Sequence, residues 1–152
     1  MRVGGGTATD GINENERAGR LTIAAFDDDR MMLSIISETL EMEGYEVHTH
    51  QRWDDAHHVV RQVHPDLVML DLRMGGSETG WKVLDQLALD PETRGIPVIL
   101  CSGATASLDA RRPALLPECG VYVLSKPFDL DVLVGTVEGA LAARSPVSVP
   151  AS

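Results

Sequence analysis

Acidic, hydroxyl and amine side chains follow short apolar runs at four places in this sequence of 152 residues. Three consecutive aspartates, 27–29, come directly after one apolar run, and Asp71 ends a second. Ser102 ends a third run, and Lys126 follows a fourth. If these runs are parallel strands of one open sheet, the four polar groups converge beyond its carboxyl edge, where such sheets bind ligands.

Carboxylates crowded at such an edge indicate a divalent cation, because several acids within a few ångströms repel one another unless a cation joins them. Oxygen ligands select a hard ion. Mg²⁺ fits, since it accepts one or two carboxylates, keeps some waters and completes its shell with phosphate oxygens. A carboxylate beside Mg²⁺, an ammonium group and a hydroxyl is the minimum needed to form an aspartyl phosphate, and Asp71 is the best candidate nucleophile.

The rest of the sequence predicts the elements that would position these groups. Short apolar runs alternate with stretches of helical periodicity, a pattern typical of parallel strands joined by crossover helices. The second strand is more polar than the others, which predicts a place near a sheet edge. Strands are predicted at 21–26, 45–50, 67–71, 97–102 and 121–125, and patterned helices at 30–43, 53–63, 81–89 and 130–141. With a helix also expected between the last two strands, the pattern is (βα)5.

Composition limits the class of protein. Thirteen Lys and Arg against 23 Asp and Glu give a formal charge of -10, which argues against nonspecific binding to nucleic acid or anionic lipid. Two cysteines, Cys101 and Cys119, lie in apolar stretches and exclude a disulfide scaffold. No apolar run approaches the roughly 20 residues of a membrane span, and the first 20 residues lack the apolar centre of a signal peptide. We expect a soluble, cytoplasmic protein.

The Gly-rich segment 1–20 and the Pro/Ser-rich segment 143–152 have too few apolar residues to favour ordered structure. We expect a flexible N-terminal tail, a single domain at 21–142, and a C-terminal segment that is either a frayed end or a linker.

Four segments resemble the receiver domain of two-component response regulators, and the resemblance covers about residues 21–141. It implies a flavodoxin-like, doubly wound α/β fold with a five-stranded parallel sheet in the order 2-1-3-4-5. The segments are, in chain order, FDDDRMML, PDLVMLDLRM, IPVILCSGA and VLSKPF.

The resemblance also implies a role for each matching residue. Asp27, Asp28, Asp71 and the backbone carbonyl of Arg73 would bind Mg²⁺. Asp71 would accept a phosphoryl group from a sensor histidine kinase or a phosphotransfer protein. The hydroxyl of Ser102 would act in the switch, and Lys126, before a cis proline bond, would contact the phosphoryl group.

Such a protein is a conformational switch rather than an enzyme, because it assists only its own phosphorylation and dephosphorylation. It would act on a downstream protein that the sequence does not identify, without direct contact with nucleic acid or membrane.

The sequence departs from the family pattern in three places. The segment 75–80 after the phosphorylation position is about one residue longer than usual and rich in Gly, so a mobile loop is expected. Val123 stands where the family usually has an aromatic residue, and strand alternation would direct Tyr122 to the other face. Pro113 and Pro117 predict a short or broken fourth helix.

Other functions have weaker support. A receiver-shaped adaptor that binds partners without phosphorylation is the main alternative, but every chemical position is filled. A Mg²⁺-dependent phosphatase of the haloacid dehalogenase type requires Asp-x-Asp, and Arg73 replaces the second acid. Segment 75–82 lacks the ordering of a P-loop. In a flavodoxin-like electron carrier, the aspartates would repel the phosphate of FMN.

For Asp29 and for the histidines, an ordinary structural role is favoured over metal binding. Asp29 immediately precedes the first helix, which favours an N-cap role over a third metal ligand. All five histidines fall within 48–64, but their spacing does not suit a transition-metal site, so we expect solvated polar residues near a sheet edge.

Overall fold

The computed structural model describes residues 20–52, 54–71, 79–102 and 120–143, with only the backbone of Thr79 and Ser102. The strands are β1 (Thr22–Phe26), β2 (Glu46–His50), β3 (Leu67–Asp71), β4 (Val98–Ser102) and β5 (Val121–Ser125). The helices within these ranges are α1 (Arg30–Met42), α2 (Ala56–Val63), α3 (Thr79–Leu89) and α4 (Leu130–Ala143). None of these helices has the length and apolar character that a membrane crossing requires.

The five strands form one parallel sheet in the order β2-β1-β3-β4-β5. This is the predicted order 2-1-3-4-5, and β2 lies at an edge of the described sheet, as its polar sequence indicates. β3 is buried at all five positions because β1 and β4 flank it and both faces of the sheet are covered. The carboxyl ends of all five strands therefore lie along one side of the sheet.

Two apolar cores cover the two faces of the sheet, because successive strand residues point to opposite sides. On β1, Ala24 and Phe26 belong to one core, which α2 and α3 complete. Ile23 and Ala25 belong to the other core, which α1 and α4 complete. Helices on both faces of a parallel sheet define the doubly wound fold.

Helix α1 has well-defined signals at both ends. Asp29 is its N-cap and accepts hydrogen bonds from the backbone N–H groups of Met31 and Met32, at 3.0 and 3.2 Å, as predicted. At the other end Gly44 has a φ of 99°, and its N–H donates to the carbonyl of Glu41. A left-handed residue suits Gly there because any Cβ would add strain.

The alternation predicted for β5 is confirmed. Val123 packs against the core formed with α2 and α3, and Tyr122 packs against the core formed with α1 and α4. Cys101, on β4, is a buried free thiol in the second core, as expected for a small apolar residue. Trp81 is buried in the first core.

Two of the five histidines are less solvated than we expected, whereas His58 and His64 are exposed. His50 is half-buried, and its ring stacks on Phe26 with a centroid distance of 4.8 Å. His57 is also half-buried, and its Nε2 lies 2.7 Å from Oδ2 of Asp90. The reason is tertiary: the expectation came from local spacing, whereas Phe26 and Asp90 lie on other elements.

Four residues join α2 to the chain after α3, and we name them the α2–α3 clamp: His57, Arg61, Asp90 and Glu92. Arg61 Nε lies 3.2 Å from Asp90 Oδ2, and its Nη2 lies 3.3 Å from Glu92 Oε2. The other oxygen of Asp90 accepts the backbone N–H of Glu92 at 2.9 Å. Every oxygen of Asp90 thus has a donor.

Helix α3 begins at Thr79, two residues earlier than the periodicity indicates, so that part of the expected loop 75–80 is helical. Several expectations fall outside the described residues. They are the tail 1–19, the first residue of the predicted helix 53–63, the loop up to residue 78, the fourth helix with Pro113 and Pro117, Cys119, and the segment from 144 to 152.

Candidate functional site

The chain places Asp27 directly after β1, at the carboxyl end of an interior strand of the sheet. Its side chain is buried, with the residue 3% exposed. Its backbone N–H donates to the carbonyl of His50 at 3.1 Å, which joins it to the end of β2. One carboxylate oxygen, Oδ1, accepts the backbone N–H of Asp29 at 2.9 Å. Asp27 is therefore held through both its backbone and its side chain.

Lys126 reaches two of the predicted carboxylates from the end of β5. Its Nζ donates to Oδ2 of Asp27 at 2.8 Å and to Oδ2 of Asp71 at 3.3 Å. Asp71 ends β3 and is 7% exposed. The Lys126–Pro127 bond is cis, as the resemblance implied. Lys126 thus links residues that are 99 and 55 positions away in the chain.

Asp28 completes the cluster, which we name the acidic edge: Asp27, Asp28, Asp71 and Lys126. One carboxylate oxygen from each of the three aspartates lies within 4.8 Å of the others. Within the described ranges, this is the one group of three or more acidic, histidine or cysteine side chains close enough to share a metal ion. Asp29 is outside the group because its carboxylate caps α1.

These donors fit Mg²⁺. All are carboxylate oxygens, which a hard cation prefers over nitrogen or sulfur. Two of the aspartates are buried while Asp28 is exposed, so the site is open on one side, where waters or phosphate oxygens can complete the shell.

The pKa values of Asp27 and Lys126 are both raised at the acidic edge. Burial raises the pKa of Asp27 above its usual range, and the nearby Asp71 adds to this rise. The hydrogen bonds from Lys126 and the backbone of Asp29 oppose it without cancelling it. Burial alone would lower the pKa of Lys126, but its bonds to Asp27 and Asp71 raise it, so the amine stays protonated. Asp27 and Asp71 share the ammonium group of Lys126.

The protein-family model of the response regulator receiver domain matches residues 23–138 of this sequence. The chain belongs to this family. Regulatory protein AtoC of Escherichia coli is 35% identical over 124 residues, which are 81% of this chain and 26% of AtoC. Protein PilH of Pseudomonas aeruginosa is 29% identical over 123 residues, which are 79% of this chain and 97% of PilH.

The solved structures agree on the fold of this receiver domain. The crystal structure of a CheY-like response regulator receiver domain protein from Methanospirillum hungatei has a TM-score of 0.70 at 24% identity, over 84% of this chain and 98% of that one. The chain spans about a quarter to a half of the length of several longer regulators that it matches. Receiver domains are signalling domains of two-component systems.

Two residues predicted for the receiver site are described only in part or not at all. Ser102 ends β4, where its backbone pairs with Ser125, the residue before Lys126. The strand end of Ser102 thus lies at the same side of the sheet as the acidic edge, and its side chain is outside the described atoms. Arg73, with its carbonyl, lies outside the described residues.

Sequence reasoning missed two backbone groups of the receiver that hold the acidic edge. The carbonyl of His50 accepts the N–H of Asp27, and the N–H of Asp29 donates to the Asp27 carboxylate. Residue types carry no signal for such contacts, since any residue offers the same backbone groups. The N-cap position of Asp29 was the only available hint.

Cys101 pairs with Asp71 in the sheet register, yet it is no candidate nucleophile. Burial raises the pKa of its thiol to about 12, and the opposing effect of the Lys126 charge is smaller. The reactive form of cysteine is the thiolate, which is then nearly absent at neutral pH.

Proposed function

We propose that this receiver domain is phosphorylated on Asp71 by a phosphohistidine donor and that Mg²⁺ is required for the reaction. The observation that carries the proposal is the position of Lys126. Its ammonium group lies between Asp27 and Asp71, while the oxygens of three aspartates lie within 4.8 Å of one another. A candidate nucleophile, a charge-stabilising amine and oxygen ligands suited to a hard cation lie close together at the carboxyl ends of the strands.

Asp27, Asp28 and Asp71, with the carbonyl of Arg73, would hold Mg²⁺, which supplies positive charge against the oxygens of the phosphoryl group. An oxygen of Asp71 attacks phosphorus as the bond between phosphorus and the donor imidazole breaks. The electron pair of that bond stays on the imidazole nitrogen. The ammonium of Lys126, 3.3 Å from Asp71 before the reaction, stabilises negative charge on the transferred group.

The product is an acyl phosphate on Asp71, and its hydrolysis by water returns the carboxylate and inorganic phosphate. Between these events the new dianionic group shifts an equilibrium between surface conformations. The hydroxyl of Ser102 would bond to the new phosphoryl oxygens, the role that the family resemblance implies. The donor would be a sensor histidine kinase or phosphotransfer protein, and a downstream protein would read the result.

Intact mass after incubation with acetyl phosphate tests the proposal directly. With Mg²⁺ we expect one added phosphoryl group that hydroxylamine removes. The adduct is absent in Asp71→Asn and when EDTA replaces Mg²⁺. Asp131→Asn, which removes an exposed aspartate on α4, is the matched control and keeps the adduct. No adduct on the wild-type chain with Mg²⁺ present would contradict phosphorylation and favour an adaptor that binds partners without it.

A further inference from the structure

Asp29 joins the acidic edge to helix α1 through its carboxylate. Oδ1 accepts the N–H groups of Met31 and Met32, at 3.0 and 3.2 Å. The backbone of Asp29 is extended, with φ -91° and ψ 106°, so the chain turns into the helix at this residue. Helix α1 is itself anchored in the core by Leu33, Ile36 and Leu40. The cap therefore fixes the backbone of Asp29 to a rigid element.

The backbone of the same residue holds a candidate metal ligand. The N–H of Asp29 donates to Oδ1 of Asp27 at 2.9 Å, while the N–H of Asp27 donates to the carbonyl of His50. The segment from 27 to 29 is thus attached at one end to β2 and at the other end to α1. Asp28 lies between these two attachments, which fix the backbone on both sides of its exposed carboxylate.

We infer that Asp29 is a positioning residue for cation binding at the acidic edge. Its cap holds the 27–29 segment so that the carboxylates of Asp27 and Asp28 stay within reach of Asp71. Asp29 acts through Asp27 and contributes no oxygen to the cluster. The inference rests on the proposed function in one respect, that the cation is Mg²⁺.

A different explanation must be separated from this one, because Asp29 also carries a negative charge. A charge near the site attracts a cation whether or not it caps the helix. Four side chains at this position separate the two effects. Asp and Asn both cap helices well, whereas the longer Glu and Gln are not among the preferred N-cap residues. Asp and Glu carry the charge, whereas Asn and Gln do not.

The experiment is a calorimetric titration of the full chain with Mg²⁺, for the wild type and for Asp29→Asn, Asp29→Glu and Asp29→Gln. If the cap positions the ligands, the Asp29→Asn variant binds Mg²⁺ with a dissociation constant within about twofold of the wild-type value. Glu and Gln bind about fivefold more weakly, the ratio that corresponds to the usual free energy of a cap. Glu41→Gln, which removes a charge at the far end of α1, is the control and changes the affinity little.

Two results would overturn the inference. In the first, the affinity for Mg²⁺ follows the charge: Asp29→Glu binds as tightly as the wild type, and Asp29→Asn binds as weakly as Asp29→Gln. That result would show attraction by charge without positioning. Equal affinity in all four proteins shows that the cap serves only the helix. If the longer side chains unfold the protein, Asp29→Ser and Asp29→Gly replace them, since Gly costs the helix little but offers no oxygen. The inference then requires Ser to bind more tightly than Gly, and equal affinities overturn it.

The wild-type titration separates failure of the inference from failure of the proposed function. A wild-type chain that binds no Mg²⁺ contradicts the function itself. A wild-type chain that binds Mg²⁺ normally while the variants do not differ contradicts only the role of Asp29.

Discussion

Asp27 and Asp90 are both aspartates, but they lie in different clusters and their pKa values are shifted in opposite directions. In the acidic edge, burial raises the pKa of Asp27 despite its bond to Lys126. In the α2–α3 clamp, the backbone N–H of Glu92 lowers the pKa of Asp90, and the bonds from His57 and Arg61 add to this effect. Burial opposes the lowering at Asp90 without cancelling it.

Both oxygens of each carboxylate accept a hydrogen bond, and the difference lies in burial and in the number of side-chain donors. Asp90 has two side-chain donors and a backbone donor. Lys126 is divided between Asp27 and Asp71, and Asp28 lies close by. The clamp joins α2 to the chain after α3, whereas three carboxylates within 4.8 Å of one another can accept a cation from outside.

Removal of the one ammonium from the acidic edge should have the largest effect. In Lys126→Met, we expect phosphorylation by acetyl phosphate to slow by about 100-fold, because a donor that stabilises transition-state charge is lost. Intact mass measured over time gives the rate. The chain has only two lysines, and Lys82, exposed on α3, provides the matched control Lys82→Met with an unchanged rate. An unchanged rate in Lys126→Met would show that the ammonium takes no part.

Amide substitutions in the two clusters should change stability with opposite signs. Without divalent cations, Asp27→Asn should stabilise the fold by about 1 kcal/mol, because burial and the nearby Asp71 disfavour the ionised carboxylate that the substitution removes. Asp90→Asn should lower the urea midpoint, because charge-assisted bonds to His57 and Arg61 are weakened. Urea denaturation in EDTA measures both. A loss of stability in both variants would mean that Lys126 satisfies Asp27 as fully as the clamp satisfies Asp90.

The clamp should also have a defined dependence on pH. The pKa of Asp90 is lower in the folded chain than the ordinary value of about 3.9. The unfolded chain therefore binds more protons in acid, and the stability that Asp90 contributes is present above about pH 4 and is lost below it. The stability difference between wild type and Asp90→Asn should shrink as pH falls from about 6 to about 3. A difference that stays constant in urea titrations across this range would contradict the prediction.

The smallest effect concerns Cys101, next to Asp71 in the sheet. With a pKa of about 12, its thiolate fraction at pH 7 is about 10⁻⁵, so native Cys101 should resist iodoacetamide. Mass spectrometry of a Cys119→Ser chain should show labelling only after denaturation. Rapid labelling of the native chain would show that the reagent reaches Cys101, and would contradict the burial that raises its pKa.

The fold could be predicted largely from local pattern. Apolar runs ending in polar residues gave the five strands, and the polar β2 was correctly expected at an edge. Asp29 as a cap and the opposite faces of Tyr122 and Val123 were also predictable, because capping and strand alternation depend on neighbours in sequence. Such features need no knowledge of distant contacts.

Contacts between distant elements could not be predicted in the same way. The bond of His57 to Asp90 joins residues 33 positions apart, and no spacing rule selects that partner. The stacking of His50 on Phe26 depends on the pairing of β2 with β1. The acidic edge was inferred correctly as a place where carboxylates gather, but the division of Lys126 between Asp27 and Asp71 required coordinates.

The 99 positions between Asp27 and Lys126 have a consequence for how the protein is made. A ribosome that has released β1 to β4 has produced every aspartate of the acidic edge but not the amine that joins them. A nascent polypeptide at that stage lacks the ammonium group that bonds Asp27 and Asp71 in the folded chain. The acidic edge is therefore complete only when the fifth strand leaves the exit tunnel and joins the sheet.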